Sequence, residues 1–519
     1  MKHLAFAAVC CIFACGGGSS GEPGPQDASP DAANDAGTPA WDTGDGATSG
    51  GSQLLDGLDP TNANYKAIGR FHGSLTCTAV FVQTSANNPA APAYALTSGH
   101  CPSILGANDV TLDAEPGSDF EVVFNYFANT EQARVRVPVT RIEHATMKGH
   151  DLAILKLART VGELGTLGIA PLAIAPSLPA AGAPIDVVGA PLDTSQSDDF
   201  LRRERCIGRA SSVNLVEFHW HFFDAQPNDC IDIRSGSSGS PVFARDRVQI
   251  HALMNTTARG SEGTTDCYAN RPCELTATGY AVRPDASYAT PIVGLGGCFD
   301  ERGSFNLRRA QCPLDDGRQL EVQGGPLGAN QPYVMDNGVR RRLRWDRSVK
   351  HTEFTHYRYK TGPAHATNCR DLAGYGAPIA LNANSVIRDD VPEAEGFYYL
   401  CLLGGRSPTP DSTWQNPRFA RIEQVQIDTT PPQRLPGTLV HDFDGGGLRV
   451  ELLFYPPELS QYRYKVGPPA STDCAQPDGY DDYLRIAIPI LREEFPAKLC
   501  IVGYDEAGNV APPFARTFE

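Results

Sequence analysis

The chain has 519 residues, of which 41% are apolar and 20% charged, and this length suits about three globular domains. Its formal net charge of −16 argues against non-specific binding to nucleic acid or to an anionic membrane surface. The composition also excludes a fibrous or coiled-coil protein.

Residues 1–15 are predicted to be a targeting segment. Lys2 and His3 precede an apolar run that is too short to span a bilayer. The run ends in Ile-Phe-Ala-Cys-Gly around Cys15, which resembles the lipobox of bacterial lipoproteins, although Phe13 is bulky for that position. We expect an exported protein that is lipidated at Cys15 and anchored to the bacterial cell envelope at its outer membrane. A secreted protein without an anchor is the alternative.

Residues 16–61 are predicted to be a disordered linker. Gly, Ala, Asp, Ser and Pro dominate residues 16–52, which contain several acids but no Lys or Arg. A tether of this composition could hold a folded domain clear of a membrane surface.

Residues 62–296 are predicted to be an all-β domain. Short strand-like runs alternate there with clusters of Gly, Pro, Asn and Asp. Residues 76–82 and 93–98 are apolar runs of strand length, and residues 217–223 alternate aromatic with polar side chains. Such a series of short strands indicates a closed or sandwiched β structure.

Three separate motifs in this domain carry residues suited to nucleophilic catalysis. His100 ends the sequence Ala-Leu-Thr-Ser-Gly-His, Asp151 begins Asp-Leu-Ala-Ile-Leu, and Ser238 lies in Gly-Ser-Ser-Gly-Ser-Pro. Each motif alone has an ordinary explanation, such as a polar turn for the serine or a strand cap for the aspartate. Together they supply a nucleophile, a base to take its proton and a carboxylate to orient that base.

The motifs, in the order His, Asp, Ser, resemble those of trypsin- and chymotrypsin-like serine peptidases. The Gly-x-Ser-Gly-Ser-Pro form is that of bacterial glutamyl and lysyl endopeptidases. The resemblance implies a chymotrypsin-like double β-barrel with His100, Asp151 and Ser238 as the catalytic triad. It also implies an oxyanion hole formed by the amides of Gly236 and Ser238, and no metal or organic cofactor.

The resemblance has one departure that concerns activation. Trypsin has an aspartate immediately before its nucleophile, whereas this chain has Ser237 there. Residues 67–70 do not supply a convincing activation site. We therefore expect the oxyanion loop to be held by some contact other than a newly cut N-terminus.

Two side chains are candidates for the substrate pocket. Asp232 lies six residues before Ser238, where a trypsin-like pocket keeps its acid. His251 falls where glutamyl endopeptidases place a histidine that receives an acidic side chain. We expect a basic P1 residue, although a loop salt bridge and a buried histidine are equally good explanations of these two residues.

The remaining sequence is predicted to be a connector, residues 297–335, followed by two related modules, residues 336–431 and 432–519. Tyr-Arg-Tyr-Lys at 357–360 recurs at 462–465, and further matches follow at a similar offset. The joint between the copies resembles those of tandem Ig-like or fibronectin-III-like domains. We expect β-sandwich-like modules that act as spacers or bind a protein or a cell-surface polymer.

The cysteine count fits an oxidising compartment. Of the 15 cysteines, those outside the targeting segment are even in number, which suits disulfides, and no zinc-type spacing competes. The peptidase resemblance implies that Cys77 pairs with Cys101. We expect Cys298 to pair with Cys312 in the connector, and each repeat to contain one disulfide, Cys369–Cys401 and Cys474–Cys500. The remaining cysteines, Cys206, Cys230, Cys267 and Cys273, have no assigned pairing.

The sequence therefore predicts an exported serine endopeptidase that hydrolyses protein or peptide substrates through an acyl-enzyme. No nucleic-acid partner is expected. A catalytically inactive surface adhesion or binding lipoprotein with a peptidase-like barrel is the alternative.

Overall fold

The computed structural model describes residues 51–84, 88–192, 199–209, 211–245, 249–260, 266–443 and 445–519. The expected targeting segment, Cys15 and most of the expected linker lie outside these residues. Strands dominate the described residues. An α-helix spans Val161–Thr166, and 3-10 helices span Pro60–Ala67, Glu131–Ala133, Leu295–Cys298, Ala364–Ala366, Pro417–Phe419 and Arg492–Glu494. None of the helices in the described ranges has the length and apolar character needed to cross a membrane.

The first barrel is a closed antiparallel ring. The strands that open the described chain are β1 (Gln53–Leu54), β2 (Ile68–His72), β3 (Thr76–Val82), β4 (Pro92–Thr97), β5 (Val110–Ala114), β6 (Glu121–Phe124), β7 (Val135–Thr146) and β8 (Leu152–Thr160). All except β1 form a sheet in the order β5-β7-β6-β2-β3-β4-β8, and β7 also pairs with β8. This second pairing closes the ring, and the apolar runs expected as strands fill its interior.

The second barrel is built from the strands β9 (Ala173–Ile174), β10 (Pro184–Gly189), β11 (Arg202–Ile207), β12 (Val213–Glu217), β13 (Trp220–Asn228), β14 (Pro241–Ala244), β15 (Gln249–Thr257), β16 (Cys273–Thr276), β17 (Gly279–Val282) and β18 (Ser287–Pro291). The sheet order is β1-β11-β10-β14-β15-β18-β13-β12-β16-β17, with β9 on β15. An isolated bridge between Gly208 and Asn228 joins the ends of β11 and β13 and closes this barrel too. The predicted all-β double barrel is confirmed.

The expected linker boundary at residue 61 was wrong. Gln53 and Leu54 pair with Arg203 and Arg202 of β11. Leu54 and Leu55 are buried, and the amide of Leu55 donates to the Leu201 carbonyl at 3.0 Å. Because this apolar pair gains by burial against the second barrel, the ordered chain includes residues that we expected to be disordered.

The C-terminal part of the chain contains β19 (Glu321–Gln323), β20 (Ala329–Asn330), β21 (Tyr333–Asp336), β22 (Val339–Arg342), β23 (Arg347–Lys350), β24 (His356–Pro363), β25 (Ile379–Ala380), β26 (Val386–Ile387), β27 (Gly396–Gly405), β28 (Arg421–Ile427), β29 (Gly437–Asp442), β30 (Gly447–Leu453), β31 (Gln461–Gly467), β32 (Asp481–Asp482), β33 (Ile488–Leu491), β34 (Ala497–Tyr504) and β35 (Phe514–Phe518).

These strands form two modules with the same arrangement of two sheets. The first module has the sheets β19-β23-β26 and β25-β24-β27-β28, and β20 is added beside β28. The second has β29-β30-β33 and β32-β31-β34-β35. The predicted β-sandwich-like modules are confirmed. The first begins at β19, inside the expected connector, because Val322 of β19 packs against the module's core.

Six disulfides join Cys77 to Cys101, Cys206 to Cys230, Cys267 to Cys273, Cys298 to Cys312, Cys369 to Cys401 and Cys474 to Cys500. The first, fourth, fifth and sixth are the pairs expected from the sequence. The second and third use the cysteines that had no assigned partner.

Candidate active site

His100 and Asp151 meet at the end of the first barrel. His100 follows β4, and Asp151 immediately precedes β8, which pairs with β4. The amide of His100 donates to Asp151 Oδ1 at 3.0 Å, and His100 Nδ1 lies 2.8 Å from Asp151 Oδ2. Asp151 is fully buried, whereas the His100 side chain is 19% exposed. The carboxylate therefore orients the ring through Nδ1, while part of the ring remains exposed to solvent.

The electrostatic environment of His100 favours its protonated form. Burial opposes the charge, but the charge and the hydrogen bond of Asp151, with a further contribution from Glu217, raise the pKa of His100 above its ordinary value. A histidine of raised pKa is a stronger base, which suits a group that must take a proton from a hydroxyl.

The loop that carries His100 is held from two sides. The Cys77–Cys101 disulfide joins it to β3. Gly99 lies so close to the end of β7 that a Cβ atom there would overlap the Thr146 carbonyl oxygen. The small residue before the histidine thus allows the loop to approach the segment that leads to Asp151.

The turn that carries Ser238 lies against the same loop. The amide of Gly239 donates to the Met254 carbonyl at 2.8 Å, and Ser98 Oγ donates to the same carbonyl at 3.0 Å. Gly239 has φ +82°, and a Cβ there would overlap Thr97 Oγ1. The sequence neighbours of Ser238 and His100 therefore share an acceptor, and the serine, histidine and aspartate motifs converge at the junction of the two barrels.

Thr78 holds the turn that carries Ser238, and sequence reasoning did not single it out. Its hydroxyl donates to the Gly236 carbonyl at 2.8 Å, and its amide donates to the Ser238 carbonyl at 2.9 Å. The same hydroxyl accepts from the Ala190 amide at 3.0 Å. The one sequence feature that could have indicated this role is its position next to Cys77, whose disulfide with Cys101 holds the loop that carries His100.

Ser237, immediately before Ser238, is held by two hydrogen bonds within its own turn. Its amide donates to the Arg234 carbonyl at 2.9 Å, and its hydroxyl accepts from the Arg234 amide at 3.2 Å. These two bonds close the turn locally. Within the described part of the chain, the amides of Gly236 and Ser238 donate to no protein acceptor. This leaves both amides able to bind a developing oxyanion.

Glu217 is a second buried acid near the His100–Asp151 pair. It ends β12, and its Oε1 accepts from the Asn270 amide at 2.7 Å and from Thr256 Oγ1 at 3.1 Å. Burial raises the pKa of Glu217 to about 7. In the sequence it was one polar position of an alternating strand, so nothing there indicated a role beside the site.

The two predicted pocket residues have other contacts in the structure. Asp232 Oδ2 accepts from the Ser52 amide at 2.5 Å and from Ser52 Oγ at 2.9 Å, so the segment before β1 engages this carboxylate. His251 Nδ1 lies 2.6 Å from the Ser177 carbonyl oxygen. These contacts fit a structural role for each side chain, as a loop hydrogen-bonding partner for Asp232 and as a buried histidine for His251.

Two groups in the described residues have side chains of metal-binding type, one around His100 with Cys77 and Cys101, the other around Glu204 with Cys206 and Cys230. In both groups the cysteines are joined in disulfides and offer no thiolate. Neither group therefore has the donors of a zinc site.

Comparison with known proteins supports the family seen in the motifs. Residues 77–250 match the family described as the trypsin-like peptidase domain. The matched segment includes His100, Asp151 and Ser238. A search of curated protein sequences found no relative.

Solved structures of similar arrangement include proteases. The thermostable serine protease AL20 from an extremophilic microorganism is 18% identical, with 44% of this chain and 92% of that chain covered and a TM-score of 0.29. Human heparin binding protein is 13% identical, with 47% and 92% covered and a TM-score of 0.30. Protease Anisep from Arthrobacter nicotinovorans is 14% identical, with 44% and 91% covered and a TM-score of 0.28.

Proposed function

We propose that this chain, whose residues 77–250 match the trypsin-like peptidase domain family, is an active serine endopeptidase with Ser238 as its nucleophile. Ser238 Oγ attacks the carbonyl carbon of a substrate peptide bond while His100 Nε2 takes the hydroxyl proton. The amides of Gly236 and Ser238 bind the oxygen of the tetrahedral intermediate. Asp151 keeps the proton on His100 Nδ1 and stabilises the imidazolium.

Collapse of this intermediate releases the new amine, to which His100 Nε2 gives the proton, and leaves an ester between Ser238 and the acyl part of the substrate. Water then attacks this acyl-enzyme with His100 again as the base. The second tetrahedral intermediate breaks down to the free acid and the Ser238 hydroxyl.

The contacts between His100 and Asp151 support this mechanism most directly. The Asp151 carboxylate is fully buried, and it accepts from the His100 amide at 3.0 Å and from His100 Nδ1 at 2.8 Å. It therefore interacts with this histidine and not with solvent. Its effect is to fix the ring orientation and to raise the pKa of His100, and both effects serve a general base.

A fluorophosphonate probe and a protein substrate test the proposal. Wild-type protein and Ser235→Ala, which changes an exposed serine of the same loop, are expected to be labelled and to hydrolyse the substrate. Ser238→Ala should be unlabelled and inactive. Asp151→Asn should lower kcat by roughly 10⁴-fold, because the wrong tautomer of the base is then favoured. A wild-type protein that is folded but neither labelled nor hydrolytic would contradict the proposal and favour an inactive binding protein.

The proposal does not include a preference for the substrate residue before the cleaved bond, the P1 residue. The expectation of a basic P1 residue rested on Asp232, and the Ser52 amide and hydroxyl engage that carboxylate. Cleavage-site profiling on a peptide library would identify the preferred residue.

Export and anchoring through Cys15 form a second part of the proposal. The lipobox-like sequence around Cys15 and the six disulfides support it, since disulfides persist outside the cytoplasm. Expression in bacteria with an alkyne-bearing fatty acid should label wild-type protein and leave Cys15→Ser unlabelled. An unlabelled wild type would contradict the anchor.

A further inference from the structure

The first C-terminal module packs one face of its larger sheet on the second barrel. Along β27, Leu400 and Leu402 face the module's own core, whereas Phe397 and Tyr399 point to the opposite side. The ring of Phe397 lies 5.0 Å from that of Tyr280 in β17. The outward residues belong to an apolar cluster that they share with barrel residues Val216, Phe223, Cys267 and Cys273.

The segment that leads to Asp151 is part of this contact region. Lys148, three residues before Asp151, donates to Asp315 Oδ2 of the connector at 2.8 Å and to Gln319 Oε1 at 3.1 Å. The side chains of Lys148 and Asp315 are 4% and 5% exposed. Because removal of one partner of a buried ion pair leaves an uncompensated charge, this pair holds the segment in one position.

A cavity of about 20 Å³ lies beside the ion pair, large enough for one water molecule. Residues of both barrels, the connector and the first module line it, among them His144, His150, His221, Leu314, Arg418 and Ile422. His150 immediately precedes Asp151. The module therefore forms one wall of the space occupied by the residues that present the catalytic carboxylate.

The segment that follows His100 contacts the module as well. Asn108 Nδ2 donates to the Ile422 carbonyl at 2.8 Å, and the Ile422 amide donates to Asn108 Oδ1 at 3.0 Å. The amide side chain thus pairs with both main-chain groups of one residue in β28, as a neighbouring strand would. Asn108 is buried, and Gln319 Nε2 donates to its carbonyl at 2.7 Å.

A third contact reaches the hairpin that carries Glu217. Gln424 Nε2, two residues after Ile422, donates to the Phe218 carbonyl at 2.9 Å. On the other side of this hairpin, Arg370 Nη1 of the module lies 2.5 Å from Asp224 Oδ2 of β13. The module therefore bonds directly to the Asn108 segment and to this hairpin, and it lines the cavity beside the segment that leads to Asp151.

From these contacts, and resting on the serine peptidase function proposed above, we infer that the first C-terminal module is a positioning part of the peptidase. Asn108 joins it to the segment after His100, and the Lys148–Asp315 pair joins the adjacent connector to the segment before Asp151. Together these contacts hold His100 and Asp151 in their reactive arrangement. The alternative is a module that only adds stability or serves as a spacer.

Variants of the full chain distinguish these roles. Asn108→Ala removes both bonds to Ile422 and is expected to lower kcat per active site by roughly 10–100-fold with little change in KM, since small misplacements of catalytic groups cost about this much. Labelling of Ser238 by the fluorophosphonate should slow by a similar factor. Active-site titration corrects for any unfolded fraction. Arg406→Ala, which changes an exposed arginine of the module that pairs with Glu353, is the matched control and should behave as wild type.

An Asn108→Ala protein that melts at a lower temperature but keeps the wild-type kcat per titrated site would overturn the inference and leave the module a stabilising role. If Asn108→Ala gives no folded protein, Gln424→Ala, which removes only the contact to Phe218, carries the same measurement, and an unchanged kcat per site again overturns it. A wild type that is not labelled at all contradicts the proposed function itself, which separates the two failures.

Discussion

Thr78 links the two barrels at the nucleophile turn. It belongs to β3 of the first barrel, while the carbonyls it binds belong to Gly236 and Ser238 of the second. It is fully buried, so its hydroxyl has no water to replace these partners. The position of the turn that contains the Gly236 and Ser238 amides thus depends on a residue more than 150 positions away in the chain.

Thr78→Val should lower kcat with a smaller effect on KM. The change keeps the shape of the side chain but leaves the Gly236 carbonyl without its donor, at a cost of about 1–3 kcal/mol. The turn should relax, which weakens the interaction of its amides with the transition state more than with the substrate. Steady-state kinetics on a peptide substrate checks this, with Thr78→Ser as the variant that retains the hydroxyl. Equal kcat for Thr78→Val and wild type would contradict it.

At the scale of elements, the hairpin of β12 and β13 brings an acid to the catalytic pair. Glu217 ends β12 and is held by Thr256 of β15 and by the amide of Asn270, inside the loop closed by the Cys267–Cys273 disulfide. Its charge raises the pKa of His100, and the charge of Asp151 in turn raises the pKa of Glu217. The hairpin therefore adjusts the basicity of the site.

Glu217→Gln should move the acid limb of the kcat/KM profile to lower pH. The amide keeps an oxygen for Thr256 and Asn270 but removes the negative charge that Glu217 gains as the pH rises through its pKa of about 7, so the pKa of His100 falls and the ring stays deprotonated at lower pH. The pH dependence of kcat/KM between pH 5 and 9 is the measurement. Glu274→Gln, at a buried acid of β16 held by Tyr288 and Arg283, is the control that should not shift this limb. An unmoved limb in Glu217→Gln would contradict the prediction.

For the whole molecule, buried histidines beside the first module should make the free energy of unfolding depend on pH. His144 and His221 are almost fully buried around the cavity between the barrels and the module, and His150 is half-buried there. Burial lowers the pKa of His144 and His150 to about 4 and that of His221 to about 3. Lys148 also lowers the pKa of His221, and Arg418 and Arg370 lower that of His150. Asp315 acts in the opposite direction on His144, as does Asp224 on His150.

The protein should lose stability as the pH falls from about 6.5 towards 4. The unfolded chain binds protons on these histidines at the ordinary pKa of 6.5, whereas the folded chain keeps them neutral until about 4, so protons favour the unfolded state in this window. Each histidine contributes roughly 1.4 kcal/mol per pH unit there. Chemical unfolding at pH 7.5, 6 and 5 measures the slope.

His221→Phe tests this assignment, because both nitrogens of His221 lack a hydrogen-bond partner among the described residues. It should reduce the dependence of the unfolding free energy on pH, whereas His365→Gln, at an exposed position of the first module, should not. Equal slopes in wild type and His221→Phe would contradict the role of these histidines.

The expectations that succeeded depend on local sequence. The strands Thr76–Val82 and Pro92–Thr97 are predicted by their runs of apolar residues alone. The repeated Tyr-Arg-Tyr-Lys sequence indicates two related modules. Short motifs also support the proposed roles of His100, Asp151 and Ser238. The linker boundary failed because Leu54 and Leu55 are buried by a strand that lies about 150 residues later in the chain.

The sequence by itself thus determined the all-β class and the repeat, and it supplied the motifs that support the proposed roles of His100, Asp151 and Ser238, because each of these is written in contiguous residues. Only the tertiary structure decided that Thr78 holds the nucleophile turn, that Glu217 lies near His100, and that the first module packs against the segments beside His100 and Asp151. The physical reason is that these contacts join residues far apart in the chain. Their energies depend on distance and burial in the folded molecule, which a local pattern of residue types does not encode.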